Sequence, residues 1–234
     1  MTPRRFYRIR QILDQRQPDL TVLADGIHKS QNISAILRTC DAVGINELHW
    51  IVPPGEKSGI WKRSAGGSAR WVKPQRHPDS AIAVAHLQAR GMVLYAAHLS
   101  PTAVDYREVD YTRPCAVVLG AEKEGVSTAV RAACSAEITI PMYGMVESFN
   151  VSVAAALILA EVRQQRERAG LYDTGSRLPK DLYERTLFEW CHPKMARFCR
   201  ERNLDYPPMD ADGDIAEPSA WYAQVRAERL EEKT

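Results

Sequence analysis

The 234-residue sequence predicts an α/β protein built on a parallel β-sheet, with helical extensions at its N- and C-terminal ends. Three observations point there. Short apolar runs of strand length alternate with longer segments whose apolar residues recur every three or four positions. The short runs are apolar at consecutive positions, as strands buried on both faces require. After Gly170 the alternation stops, and only charged segments of helical spacing follow.

Taken in order, residues 6–15 read as a helix, Pro18 breaks the chain, and residues 20–23 form a short candidate strand. Asn32 is a candidate cap for a helix whose apolar face carries Ile33, Ile36, Leu37, Cys40 and Val43 and which Gly44 stops. Leu48, Trp50 and Val52 alternate as a strand ended by Pro53 and Pro54. Ala65-Gly66-Gly67-Ser68 reads as a loop. Residues 78–89 read as a helix, 92–97 and 116–119 as strands, 128–134 as a short helix and 137–140 as a strand. A long helix over 151–169 ends at Gly170. Further helices are expected over 181–191, 193–203 and 220–231, separated by breaks rich in Gly and Pro. The chain divides accordingly into residues 1–18, 19–170 and 171–234.

Composition narrows the function classes. The richest apolar stretch, residues 151–160, is about half the roughly 20 residues a bilayer-spanning helix needs. The arginine-rich start has no continuous apolar run, so a secretory signal is not expected. Five scattered cysteines without CxxC spacing read as free thiols of a reducing compartment. The six histidines do not join them at metal-ligand spacing, so no metal is expected. Net charge is only +2, but it is segregated. Residues 1–16 carry Arg4, Arg5, Arg8, Arg10 and Arg16 against Asp14 alone. Residues 55–77 carry Lys57, Lys62, Arg63, Arg70, Lys73 and Arg76 against Glu56, with Trp61 and Trp71 between them. Residues 203–234 reverse the balance, with eight acids against three bases. Segregated basic stretches suit a polyanion; an ordinary solvated face is the plainer alternative.

In open α/β sheets ligands bind beyond the carboxyl ends of strands, here the loops after Ala97, Leu119 and Ile140. None carries GxGxxG or GxxxxGK[ST], which removes support for a nucleotide-binding oxidoreductase or a P-loop enzyme. Residues 119–125, L-G-A-E-K-E-G, form a glycine-bracketed turn with a carboxylate. Residues 140–153, I-P-M-Y-G-M-V-E-S-F-N-V-S-V, place Ser148 and Asn150 before an apolar helix, where either residue is a common cap.

Together with N-I-S-A-I-L-R-T-C-D-A-V-G at residues 32–44, these segments resemble the three motifs of the SPOUT-class (SpoU/TrmH) RNA ribose 2′-O-methyltransferases. The likeness spans roughly residues 3 to 225, and R-Q-P-D-L-T-V and D-Y-T-R-P resemble the TrmH branch. The resemblance implies a SPOUT fold with a deep C-terminal trefoil knot, a homodimer, and a cytoplasmic enzyme without membrane or DNA partners. It further implies methyl transfer from S-adenosyl-L-methionine to the ribose 2′-hydroxyl of guanosine 18 in the tRNA D-loop. Carried over by motif position, Arg38, Asn32, Glu122, Ser148 and Asn150 are the catalytic candidates. Ala97, Leu119, Gly120, Ile140, Met145, Phe149 and Val151 are the cofactor contacts, mostly through main chain. Phe149 departs from the leucine usual in the third motif, which reshapes a pocket wall rather than a polar contact. RNA contacts are expected from Arg4, Arg5, Arg8, Arg10, Lys57, Lys62, Arg63, Arg70, Lys194 and Arg197. The alternatives are the same chemistry on ribosomal RNA and a non-catalytic RNA-binding member of the class.

A ribose hydroxyl attacks only as it loses its proton. For Arg38 to be the base its guanidinium must be neutral, which costs about 8 kcal/mol at pH 7. As a fixed cation beside the developing alkoxide it incurs no such cost. Plain structural roles remain open for each residue: a surface arginine for Arg38, a helix cap for Asn32, a solvated turn for Glu122.

Overall fold

A computed structural model describes residues 1–52, 70–122 and 124–231. They divide into two compact units, Gln15–Arg177 and a smaller one that joins Met1–Asp14 to the chain from Leu178 onward. The strands of the larger unit are β1 (Leu20–Ala24), β2 (Glu47–Ile51), β3 (Lys73–His77), β4 (Val93–Ala97), β5 (Val104–Asp105), β6 (Cys115–Leu119) and β7 (Ala136–Thr139). They form one sheet in the order β3-β2-β1-β6-β4-β7-β5, and every neighbouring pair is parallel. This is the parallel-sheet α/β class expected.

The central strands are buried at every position, which explains their unbroken apolar character. Side-chain alternation splits the core in two. Val22, Cys115, Val117 and Leu119 pack with Ile33, Ile36, Leu37 and Cys40 of α2 (Ser30–Ala42) and with Ala155, Ile158, Leu159 and Val162 of α5 (Val151–Arg168). Leu23, Ala116 and Val118 face the other way, onto Ala83, Val84 and Leu87 of α3 (Ser80–Ala89) and Val130 of α4 (Thr128–Arg131). Gly44 and Gly170 end α2 and α5 with φ of 83° and 70°, the left-handed stop their sequence positions predicted.

One correction concerns Asn32. The helix begins two residues earlier, at Ser30, and Lys29 takes the cap position without a capping side-chain bond. Asn32 sits in the first turn, with its side chain spent elsewhere. Two strands escaped the sequence reading. β3 is a polar edge strand containing Pro74, and β5 has only two residues, so neither shows an apolar run.

A buried cation anchors α5. Arg166 is fully buried, and its Nε donates to the Tyr111 carbonyl at 2.8 Å while Nη1 donates to Asp19 Oδ1 at 2.8 Å. Arg177 adds a second bond to that carboxylate, from Nη2 to Oδ2 at 2.8 Å. Burial works against ionising Asp19, but the hydrogen bonds from Arg177 and Arg166 prevail and hold its carboxyl below the usual value.

In the smaller unit, α1 (Pro3–Asp14) packs on α6 (Lys180–Cys191), and α6 on α7 (Pro193–Arg200); α8 (Pro218–Glu231) follows. Phe6 lies directly against Gly213, whose φ is 81° and where a Cβ would come within 2.2 Å of the ring. Among the described residues no helix is long and apolar enough to cross a membrane, and no group of His, Cys, Asp or Glu could hold a metal ion.

Candidate active site

Because every strand runs the same way, the loops after β4, β6 and β7 meet at one end of the sheet. There they enclose a cleft of about 380 Å³. Ala97, Leu119, Gly120, Ile140, Ser148, Phe149 and Val151 all line it. Met145 does not; its side chain is fully exposed, and Met142 lines the cleft instead. His98, Leu99 and Thr139 are further lining residues that no motif singled out. Their signal was positional: His98 and Leu99 are the first two residues after β4, and Thr139 ends β7.

The turn at 120–125 closes on itself. Ala121 N donates to the Gly125 carbonyl at 3.0 Å, and Gly125 N returns a bond to Ala121 at 2.9 Å. A Cβ on Gly120 would lie 2.0 Å from the carbonyl carbon of Gly125, so only glycine permits this closure. Gly125 needs its own freedom, with φ at 67° and the His98 ring packed above it.

Three of the motif residues converge beside the cleft. Asn32 Nδ2 donates to Glu122 Oε1 at 2.8 Å, and Asn150 Nδ2 donates to the same oxygen at 3.0 Å. Lys29 pairs with the other carboxylate oxygen. Asn150 also caps α5, accepting from Ser152 N at 2.9 Å and from Ser152 Oγ at 2.6 Å. Its two functions are thus compatible, because the amide nitrogen serves the cluster and the amide oxygen serves the helix. Hydrogen bonds from Lys29 first, and Asn32 second, hold the Glu122 carboxyl below its usual range. Cross-links from Trp50 Nε1 to the Ile27 carbonyl (3.1 Å) and from Ser127 N to Asp25 Oδ2 (2.8 Å) fix the loop after β1 that leads into Lys29.

Arg38 is not brought into this cluster. It is exposed on α2 and lines no part of the cleft. Six residues separate it from Asn32, about 9 Å along the axis and a third of a turn around it. Arg4, Arg5, Arg8 and Arg10 are exposed on α1, as are Lys194 and Arg197 on α7, with Arg197 Nε bonded to Glu201 at 2.6 Å. Arg70 is exposed, its guanidinium 4.8 Å from the centre of the Trp71 ring. Lys57, Lys62 and Arg63 lie outside the described residues.

Comparison with known proteins agrees with this geometry. Residues 19–160 match the model of the SpoU rRNA Methylase family, and residues 164–218 match that of its C-terminal region. An Escherichia coli K12 protein named tRNA (guanosine(18)-2'-O)-methyltransferase is 45% identical over 97% of this chain and 99% of its own length. The crystal structure of an A. aeolicus TrmH/SpoU tRNA modifying enzyme superposes with a TM-score of 0.75 at 39% identity, covering 80% of this chain and 94% of that one. The SpoU methyltransferase AviRb from Streptomyces viridochromogenes, in complex with the cofactor AdoMet, gives a TM-score of 0.58 at 28% identity over 66% of this chain and 64% of its own. The chain belongs to the SpoU methylase family.

Proposed function

We propose that this protein is a cytoplasmic tRNA (guanosine-2′-O-)-methyltransferase, moving a methyl group from S-adenosyl-L-methionine to the ribose 2′-hydroxyl of guanosine 18. The observation that carries the reading is one arrangement: a cleft formed by three strand-end loops beside the Asn32–Glu122–Asn150 cluster. Relatives that share nearly the full length of the chain bear that activity in their names.

The residues present fit the cofactor. The cleft volume of about 380 Å³ falls in the range of roughly 300–1,000 Å³ usual for small-molecule sites. Leu119, Ile138, Ile140, Phe149 and Val151 offer apolar walls, and Gly120 leaves main chain unscreened at the β6 end. Glu122, Glu124 and Glu147 line the cleft, and no Lys or Arg does so among the described residues, which complements a ligand carrying sulfonium and ammonium charges. When bound, the cofactor supplies an electrophilic methyl group on its sulfonium.

This chain's residues then have two tasks. Glu122, held by Asn32 and Asn150, keeps the β6 loop, α2 and α5 in register around the reacting ribose. Arg38 stabilises the forming 2′-alkoxide as a fixed cation, the proton leaving to water or an RNA phosphate. Ser148, on the cleft wall, contacts cofactor or ribose.

That Arg38 is exposed and not among the residues lining the cleft favours a site shared between two copies. A homodimer also accounts for exposed Met145, Val146, Val153 and Leu157, which continue from Phe149 on the cleft rim along the outer face of α5. Sedimentation of a Leu157→Glu variant tests this; a dimer as tight as wild type overturns it. The knot of the class is consistent with the strand order, since β6 enters between β1 and β4 and α5 then returns from β7 to pack on α2. We read residues 1–18 and 171–234 as helical RNA-binding extensions of a methyltransferase domain over 19–170.

The decisive experiment incubates the protein with unmodified tRNA and methyl-labelled cofactor and maps the product by mass spectrometry. Label on the ribose of guanosine 18 is the expected result. Label only on ribosomal RNA supplied in parallel shifts the substrate, and no label on either RNA ends the enzymatic reading.

A further inference from the structure

A second carboxylate junction joins the segments that frame the cofactor cleft. Glu137, on β7, accepts from Arg131 Nε on Oε1 at 2.6 Å and from the Ser100 hydroxyl on Oε2. Arg131 ends α4, the short helix that follows the β6 turn, and Ser100 lies in the loop after β4. One carboxylate thus ties together the segments that leave β4 and β6, from the strand whose own loop completes the cleft. Glu137 itself does not line the cleft.

The loop after β4 is stapled to β7 at two neighbouring positions. His98 N donates to the Ile138 carbonyl at 3.1 Å, and the Ser100 hydroxyl donates to Glu137. Ser100 also starts a turn, its carbonyl accepting from Ala103 N at 3.2 Å, which delivers the chain to β5 beside Ile138. Between the two staples stands Leu99, a cleft-lining side chain that is 64% exposed. A ligand in the cleft covers part of that apolar surface, provided the loop holds Leu99 in place. The His98 ring packs over Gly125, so the same loop also buttresses the β6 turn. Hydrogen bonds from Ser100 first, and Arg131 second, hold the Glu137 carboxyl below its usual range. A hydroxyl bonded to an ionised carboxylate makes a stronger staple than one bonded to a neutral group.

We propose that Glu137 is a positioning residue for the cofactor: through Ser100 it holds His98 and Leu99 as a preformed wall of the cleft. The assignment rests on the reading above, which gives this cleft to S-adenosyl-L-methionine. A preformed wall avoids the ordering that a loose loop undergoes when ligand binds, so its benefit shows as affinity. Methyl transfer itself is left to the residues beside the ribose, and Glu137 takes no part in that step.

The test compares Ser100→Ala, Ser100→Thr, Glu137→Ala and the Ser100→Ala/Glu137→Ala double variant in the full chain. Binding of S-adenosyl-L-methionine is measured by calorimetry, beside tRNA affinity and single-turnover rates at saturating cofactor. Ser100→Ala is expected to weaken cofactor binding roughly two- to tenfold, the penalty of ordering one mobile side chain on binding. Its tRNA affinity and saturated single-turnover rate should stay within about twofold of wild type, as loss of ground-state cofactor binding alone requires. Ser100→Thr keeps the hydroxyl and should restore cofactor affinity. The double variant should bind cofactor no more weakly than Glu137→Ala, because both substitutions break the same bond. Unchanged cofactor affinity in Ser100→Ala overturns the assignment. A loss that Ser100→Thr shares overturns it too, as do losses that add independently in the double variant. Cofactor binding is read without turnover, so wild-type protein that binds cofactor but methylates no tRNA counts against the proposed activity alone. Wild-type protein that binds no cofactor removes both.

Discussion

Asn32 and Glu122, 90 positions apart, are joined by a 2.8 Å hydrogen bond from amide nitrogen to carboxylate. That bond and its counterpart from Asn150 tie α2, the β6 turn and α5 to one oxygen atom. Glu122→Gln keeps the shape and removes the charge that three donors share. Its turnover is expected to fall on the order of 10²-fold, the usual effect of misplacing reacting groups by about an ångström. Stopped single-turnover assays read this directly, and a wild-type rate would show that the carboxylate charge is dispensable.

Arg38→Lys separates a fixed cation from a planar guanidinium. Lysine keeps the charge but not the rigid fork that orients it, and a misplaced donor beside a developing oxyanion costs on the order of 10²–10³ in rate. Cofactor affinity should remain, since Arg38 lines no part of the cleft. A pH–rate profile adds the second readout: single-turnover rates equal to wild type at every pH would remove any essential role for the guanidinium.

Gly120→Ala places a methyl group 2.0 Å from the backbone of Gly125. Backbone cannot step aside as a flexible side chain can, so overpacking of about 1–3 kcal/mol is expected. For a chain of this size that lowers Tm by roughly 2–4 °C per kcal/mol. Weaker cofactor binding should accompany it, because the same turn forms the cleft wall. A thermal melt identical to wild type contradicts the closure described here.

His77 makes the fold acid-sensitive. Its Nε2 lies 2.9 Å from His49 Nδ1, and burial first, then His49 and His86, hold its pKa below the usual imidazole value against the opposing pull of Asp79 and Glu47. The unfolded chain takes up a proton near pH 6.5 that the folded chain resists. Stability is therefore complete above that pH and declines as pH falls below it. The expected outcome is a drop in Tm between about pH 7.5 and about pH 5.5, smaller in His77→Phe. Equal drops in both proteins would place the acid sensitivity elsewhere.

Strands with apolar runs were legible nearly to the residue, as β4, β6 and β7 show, because two-sided burial leaves a local mark. β3, reading Lys-Pro-Gln-Arg-His, leaves none, since an edge strand needs no apolar face. Met145 failed as a cleft residue for a related reason: a motif position specifies order along the chain, whereas lining depends on how the loop folds back. His98 and Met142 were overlooked because their positions carry no distinctive residue pattern.

The sequence by itself determined the alternation of strands and helices, the glycine stops of α2 and α5, the family, and the segments from which the site is made. These are local or linear properties, written in periodicity and in motif order. Only the tertiary structure decided that β6 lies between β1 and β4, and that Asn32 serves Glu122 instead of capping its helix. Each of those outcomes depends on groups far apart in sequence, as the 118-residue separation of Asn32 and Asn150 illustrates, and burial and hydrogen bonding choose their partners across space.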